Sequence, residues 1–379
     1  MSSQNHVSFL KRINYWRKAK FRQLRDLILL TWYFIKYQKN RGRHNLDNIS
    51  LSNSIALMML DNGIGDTIVM SGLIHELRQA GKKVYCICNP RTAGLFTSMI
   101  DCDGIYVLPE RPKRKDVSAL NLSFDAMVLL SDPDKNLRFN IMLLTAINYK
   151  FSLGFNHRDN RFFDLNIIRE EQGTHWSDRM ADCARRLGVT IYNYQYHLKF
   201  TKDCTEEVDK FINSMGDKKF VVFNPVASDK FRSLSPDIIR KTLLWLQDNS
   251  KLNIVAYNIF DEDIKRDFPK VIFNPFKQID RSIALLGKSS FLITVDTSFV
   301  HAGRFFNTPM IGIYNNRLAN KKYDNNKLWG PNYDQAKQVF SLDHLNTETG
   351  DDLRLLPFSE LEKALSNSKK LTRFLSLLI

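Results

Sequence analysis

Along residues 54–314, short apolar runs alternate with longer segments in which apolar positions recur every three or four residues. Ile55–Leu60 is apolar throughout, as a strand buried on both faces must be. Thr67–Gly81 has helical period and a glycine stop. Val84–Cys88, Ile105–Leu108 and Ala126–Leu130 read as further strands, and Trp176–Gly188 as an amphipathic helix ended by glycine. A stretch rich in Lys, Asp and Glu at 199–218 reads as a break. The alternation then restarts with strands at Phe220–Phe223, Leu252–Tyr257, Phe291–Val295 and Met310–Tyr314. Helices are expected from the Ser235-Pro236 cap and over Ile279–Gly287.

Strands alternating with helices imply parallel sheets covered on both faces, an α/β fold. Two similar halves in series predict two domains, 51–205 and 206–350, with a cleft between them and a helical tail at 351–379. A length of 379 residues agrees with two domains of about 150 each. In such sheets ligands bind outside the carboxyl ends of the strands.

Residues 1–50 follow another pattern. Leu10, Ile13, Trp16, Phe21, Leu24, Ile28, Trp32 and Ile35 recur at helical spacing, with Lys and Arg in most of the gaps. The longest apolar run, Leu27–Ile35, has nine residues, far short of the roughly 20 of a spanning helix. The charged stretch is long and no small-residue cleavage site follows it, so no signal peptide is expected. Of the net charge of +15, residues 1–43 carry +10. A basic amphipathic helix with Trp and Phe suits an anionic membrane surface. The alternative is a helix packed on the first domain with a solvated basic face. With no basic groove elsewhere, nucleic acid is not an expected partner. The five cysteines form no CxxC pair, so neither a zinc ribbon nor a disulfide framework is expected, and a reducing cytoplasmic compartment fits.

Three strand-to-helix loops carry the candidate chemistry. In the first, Asp61–Thr67, Gly63 and Gly65 allow close backbone approach. A dinucleotide fingerprint would need glycine where Ile68 stands, and Asp66 lies where a pyrophosphate would rest. A carboxylate at a helix N-terminus stays ionised, so Asp66 is either a proton acceptor or a helix N-cap. The second loop, Asn224–Pro236, offers Ser228, Lys230 and Arg232 to an anion, or is simply solvated. The third, Val295–His301, runs a strand into a helix. The N–H groups of Thr297, Ser298 and Phe299 would form a phosphate site there. Asp296 could accept from sugar or ribose hydroxyls, and His301, one turn in, is catalytic or structural. Asp132-Pro133-Asp134 could hold a metal and a diphosphate, but Pro133 and Lys135-Asn136 read as turn chemistry, and no metal is expected.

Taken together, these loops resemble those of the ADP-heptose:lipopolysaccharide heptosyltransferases, glycosyltransferase family 9. The matching stretches are Leu60–Ile68 with its Gly-Asp pair, Ser228–Pro236, and Val295–His301 followed by Pro309; Gly154-Phe155, Arg158, Arg161 and His175-Trp176 match more weakly. The resemblance covers about residues 54–345. It implies a GT-B fold of two Rossmann-like domains, acceptor-binding then nucleotide-sugar-binding, and an inverting, metal-independent transfer without a cofactor. Asp66 would be the base. Lys230 and the amides of Thr297 and Ser298 would neutralise the diphosphate, and Asp296 would hold donor hydroxyls. The partners would be a nucleotide sugar and the lipopolysaccharide core, at the cytoplasmic face of the bacterial inner membrane.

The sequence departs from the family pattern at Ser298 (usually Gly), Leu234 (often Trp), Ser71 (often Pro) and Asn315 (usually Gly). These changes leave the donor open. Another sugar, such as N-acetylglucosamine, is the alternative within the class. A nicotinamide-dependent oxidoreductase is the alternative outside it, disfavoured by Ile68.

Overall fold

Two six-stranded sheets organise the chain. The computed structural model describes residues 3–38, 46–60, 62–109, 112–130, 137–155, 162–167, 174–216, 219–315, 325–341 and 351–368. The first sheet contains β1 (Ser54–Met59), β2 (Lys83–Cys88), β3 (Gly104–Val107), β4 (Ser123–Leu129), β5 (Asn148–Phe155) and β6 (Leu165–Ile167), in the order β3-β2-β1-β4-β5-β6. The second contains β7 (Phe220–Asn224), β8 (Asn253–Ala256), β9 (Ile272–Phe273), β10 (Phe291–Val295), β11 (Met310–Tyr314) and β12 (Ala336–Phe340), in the order β9-β8-β7-β10-β11-β12. Each therefore has the doubly wound 3-2-1-4-5-6 order of a Rossmann sheet. β1 pairs in parallel with β2 and β4, and β7 with β8 and β10. Parallel pairing needs both faces covered, which is why β7, β10 and β11 are buried at every residue.

The helices are α1 (Ser3–Tyr33), α2 (Ile64–Gln79), α3 (Pro90–Ser98), α4 (Arg114–Ser118), α5 (Leu137–Leu144), α6 (Trp176–Arg186), α7 (Lys202–Ser214), α8 (Pro236–Asn249), α9 (Glu262–Asp267), α10 (Ile279–Gly287), α11 (Ser298–Phe305), α12 (Asn325–Trp329) and α13 (Phe358–Ser366). The glycine stops after α2 and α6 hold: Gly81 and Gly188 have φ of +78° and +83°. Ser235 caps α8 by accepting from the Ile238 N–H, with Pro236 in the first turn. The break expected at 199–218 is instead largely α7. Thr201 caps it, and Cys204, Val208 and Ile212 bury one stripe at spacing four. The intervening charges hid that stripe.

Contacts group the chain into two compact units. One comprises Met1–Asp61, Gly81–Asn89 and Tyr106–Ile168; the other comprises Asn62–Ala80, Pro90–Ile105 and Arg169–Ile379. Helices α2 and α3 thus belong with the second sheet. The core of the first unit gathers Ala56, Met58, Met127, Leu129 and Ile141. That of the second gathers Val221, Phe223, Ile293, Val295 and Ile313. All five cysteines are free, with Cys86 and Cys88 buried on β2.

The packed reading of the arm holds at its C-terminal end. Near the end of α1, Leu30 joins the first core, with Tyr33 and Phe34 packed against it, and Phe34 meets the edge of Phe162 at 6.0 Å. Trp16, Phe21, Leu24, Leu27, Ile28, Trp32 and Ile35 remain exposed, Phe21 at 71%. No helix among the described residues is long and apolar enough to cross a membrane. Asp132-Pro133-Asp134, Arg158 and Arg161 lie outside the described residues.

Candidate active site

Strands β7 and β10 are neighbours at the point where the second sheet reverses its winding, the place where such sheets bind ligands. Asn224 closes β7 there. It is fully buried, and its amide donates to Thr294 Oγ1 (2.9 Å) and Thr297 Oγ1 (3.0 Å). Asn258 donates to Asn224 Oδ1 at 2.8 Å. A buried amide with both ends satisfied locks the β10–α11 loop onto β7.

The second loop is similarly held rather than loosely solvated. Ser233 Oγ accepts from the Ala227 N–H (3.0 Å) and donates to Asp229 O (3.1 Å). Asp229 caps the short turn Lys230–Arg232 by accepting from the Phe231 N–H. Ser228 and Lys230 are exposed, and the Lys230 ammonium lies 5.2 Å from the Phe231 ring centre. Arg232 Nη1 donates to Asp296 Oδ2 and to Asp296 O, each at 3.2 Å, and Nη2 reaches Ser228 Oγ at 3.4 Å. Arg232 and Asp296, expected as separate ligand contacts, are therefore an ion pair that joins the two loops. Asp296 is 5% exposed, so its charge requires that partner.

Thr297 is the N-cap of α11, and its Oγ1 accepts from the Phe299 N–H at 3.3 Å. This corrects one expectation: the Phe299 amide is used internally. Ser298 opens the helix and is half-buried. The positive end of α11 accordingly lies at Thr297 and Ser298.

In the first loop, Asp66 is not the N-cap. Gly63 is, and Asp66 stands three residues on, its Oδ2 accepting from the Gly63 N–H at 2.8 Å. Thr67 Oγ1 donates to Gly63 O at 2.8 Å. Asp66 is half-buried, whereas Ile68, where a dinucleotide site would need glycine, is fully buried. The loop lies against α11. A Cβ on Gly65 would stand 3.0 Å from His301 Cδ2 and 3.4 Å from Ser298 Cα. The structure thus brings Gly63, Gly65 and Asp66 together with Ser298 and His301 inside one unit.

His301 is 4% exposed, and its Nδ1 has no hydrogen-bond partner among the described residues. Burial, with His175 and Arg304 nearby, pushes its pKa down to about 3. The ring is neutral and brings no cation to a phosphate. Beneath it lies a network that the sequence reading did not anticipate. Arg304 donates to Tyr196 Oη (3.2 Å) and Tyr194 O (3.3 Å), and reaches Ser177 Oγ at 3.5 Å. His175 Nε2 faces Gly330 O at 3.0 Å while Nδ1 accepts from the Ser177 N–H at 3.1 Å. These partners fix a neutral tautomer with the proton on Nε2. Burial, then Arg304, lowers the pKa of His175 to about 4. The weak His175-Trp176 match was the available signal. Trp176 stacks on Trp329 at 4.8 Å, and Trp329 meets the edge of His301.

No family model matches the chain. A protein of Escherichia coli (strain K12), provisionally named lipopolysaccharide heptosyltransferase 4, is 23% identical over 329 residues, covering 82% of this chain and 89% of its own. Among solved structures, the glycosyltransferase family 9 protein of Veillonella parvula superposes with a TM-score of 0.67 at 16% identity, covering 84% of this chain and 97% of its own. E. coli ADP-heptose lipopolysaccharide heptosyltransferase II gives 0.63 at 12% identity, over 85% and 98%. E. coli heptosyltransferase WaaC with ADP gives 0.60 at 14%, over 84% and 99%. The chain is similar to lipopolysaccharide heptosyltransferases. Its two Rossmann-like sheets are the fold those glycosyltransferases share.

Against the heptosyltransferase pattern, the departures acquire physical reasons. Ser71 donates to Ile68 O (2.6 Å) and accepts from the His197 N–H (2.9 Å), docking an extended segment on α2. Asn315 donates to Phe231 O at 2.9 Å and to Asp351 O, tying the second loop to the 351–356 segment. Leu234 is buried in the second core.

Proposed function

We propose that the chain moves a heptose from ADP-heptose onto the core of a lipopolysaccharide, with inversion at the anomeric carbon and without a metal or cofactor. The observation that carries this reading is the packing of the Gly65-Asp66 turn against Ser298 and His301 at the mouth of the second sheet. It supports a base and a diphosphate site within reach of one sugar. Asp66 takes the proton of the acceptor hydroxyl as its oxygen attacks the anomeric carbon. The bond from that carbon to the diphosphate breaks, and ADP departs with the electron pair. Lys230, the amides of Thr297 and Ser298, and the positive end of α11 stabilise the departing charge. Ser228 hydrogen-bonds the diphosphate, while Asp296, oriented by Arg232, holds donor hydroxyls. Gly63 admits the acceptor beside the backbone, and Gly65 lets the turn close against Ser298 and His301. Residues 51–205 serve the acceptor and 206–350 the donor.

Ser298 and Asn315, at the donor loops, favour one second reading: a different sugar donor with the same chemistry. Both readings are tested by incubating the protein with truncated-core lipopolysaccharide and either ADP-heptose or UDP-N-acetylglucosamine, with EDTA present, and weighing the glycolipid. A heptose increment from ADP-heptose supports the first reading. An N-acetylhexosamine increment from the UDP-sugar replaces it with the second, and no product with EDTA but product with Mg²⁺ removes metal independence.

The arm seats the protein on the anionic cytoplasmic face of the inner membrane. Its exposed Trp16, Phe21, Leu24 and Ile28 enter the interface while Lys18, Lys20 and Arg25 meet the headgroups. Salt-sensitive co-sedimentation with phosphatidylglycerol vesicles, lost when Trp16, Phe21 and Ile28 become Ser, is expected. Equal binding by that variant would refute it.

A further inference from the structure

Away from the loops described above, α2 meets an extended segment, Tyr194–Lys199. The crossing is unusually close. A Cβ on Gly72 would stand 2.1 Å from Gln195 O and 2.7 Å from the Tyr194 ring. Tyr194 Oη donates to Val69 O (2.6 Å) and accepts from the Leu73 N–H (2.8 Å). Ser71 Oγ accepts from the His197 N–H, and Lys199 N donates to Met99 O at 2.8 Å. The backbone at both ends of the segment is thus fixed, and so is the position from which His197 projects.

At that position the His197 ring stacks on His75 of α2, 3.5 Å between centroids and 6° between planes. Glu76 is the next residue on α2. One donor atom from each of His75, Glu76 and His197 lies within 4.8 Å of the others, and all three side chains are half-buried. None of the three makes a side-chain hydrogen bond or ion pair among the described residues. Two imidazoles and a carboxylate are thus brought together by a fixed backbone, with one donor atom of each near the others. We propose that His75, Glu76 and His197 bind one divalent transition-metal ion of the zinc type, which clips the 194–199 segment to α2.

The chemistry selects that class of ion. Imidazole nitrogens suit borderline ions such as Zn²⁺ rather than Mg²⁺ or Ca²⁺, which prefer oxygen. Zinc bonds of about 2.0–2.1 Å in a tetrahedron place donors roughly 3.3 Å apart. Rotation of the three half-buried side chains, which opens the stack so that both imidazole lone pairs reach one ion, closes the set to that spacing, with water as the fourth ligand. His75 follows Asp66 by nine residues of helix, about 13.5 Å along its axis. The ion is therefore a structural clip and not part of the transfer, and the inference is independent of the sugar or acceptor used.

The test uses the full chain, stripped with EDTA and desalted, titrated with ZnCl₂ by calorimetry and with CoCl₂ by visible absorption. One equivalent of Zn²⁺ is expected to bind and raise Tm by mass action. The Co²⁺ spectrum should show tetrahedral d–d bands without thiolate charge transfer. His75→Ala and His197→Ala should each weaken binding at least tenfold, and Glu76→Gln, which keeps both imidazoles, should weaken it by a smaller factor. Circular dichroism of each metal-free variant establishes folding. The proposal is overturned by the absence of a saturable equivalent, by affinity unchanged in folded Glu76→Gln and His197→Ala, by thiolate bands, or by equal binding of Mg²⁺.

Discussion

The structural role of Asp66 and its proposed role as base can be separated by substitution. Its Oδ2 accepts from the Gly63 N–H at 2.8 Å, which is a structural role, and as base it must accept a proton from substrate. Asp66→Asn keeps an oxygen for the Gly63 N–H and loses basicity; Asp66→Ala loses both. The structural loss in Asn is the charge–helix term, about 0.3–1 kcal/mol at a partly exposed first turn. Ala adds a net hydrogen bond of about 0.5–1.5 kcal/mol. At roughly 2–4 °C per kcal/mol for domains of this size, Asn should lower Tm by no more than about 4 °C. Removing a general base costs about 10²–10⁴ in rate, which is about 2.7–5.5 kcal/mol in the barrier. The assay is glycolipid formation under saturating donor, with Tm and donor Kd measured on the same preparations. Both variants should lose at least a hundredfold in kcat and keep donor affinity, with only Ala clearly less stable. An Asn variant that retains a tenth or more of wild-type kcat would falsify the base assignment and leave Asp66 a capping residue.

Three further outcomes are expected. Gly65→Val places a branched side chain where even a Cβ would be 3.0 Å from His301 Cδ2, so it should cost about 1–3 kcal/mol in urea unfolding and lower kcat; an unperturbed variant would contradict the packing of the two helix starts. Arg232→Ala removes the guanidinium from a carboxylate that is 5% exposed, so it should cost about 1–3 kcal/mol and weaken donor binding. A double-mutant cycle with Asp296→Asn should show coupling, and additive effects would argue that the pair does not act as a unit. His175, held neutral with a pKa lowered from the ordinary 6.5 to about 4, binds its proton more readily in the unfolded chain. Its stabilisation is complete above pH 6.5 and is lost as pH falls from 6.5 to 4, by roughly 3 kcal/mol at 1.4 kcal/mol per unit. Urea midpoints across that range should fall more steeply in wild type than in His175→Asn, and parallel curves would remove His175 from the pH response.

Much of the chain could be read in advance because single elements carry their own signature. β10 and β11 were predicted at the residues where they occur, since a strand buried on both faces is apolar at every position. The start of α8 was equally legible, because Ser235 caps it through local geometry with Pro236 in the first turn. β5 and β6 escaped notice. β5 begins Asn148-Tyr149-Lys150 with only its last five residues buried, and β6 has three residues, so neither shows a sustained period. α7 was mistaken for a break because charges between its buried positions outnumber them.

For the candidate site, the sequence by itself determined which residues are the candidates for the chemistry: Asp66 in a Gly-rich turn, Ser228, Lys230 and Arg232 before a proline-led helix, and Asp296 to His301 after a buried strand. Local backbone preference and side-chain type suffice for that. What only the tertiary structure decided is which of them meet. The pairing of Arg232 with Asp296 spans 64 residues, the contact of Gly65 with His301 spans more than 230, and the stack of His75 on His197 spans 122. Such contacts have no period to read. The first follows from the winding of the second sheet, which sets the loops after β7 and β10 side by side at its carboxyl end, and the other two from the packing of α2 on α11 and on the 194–199 segment, which joins surfaces remote in the chain.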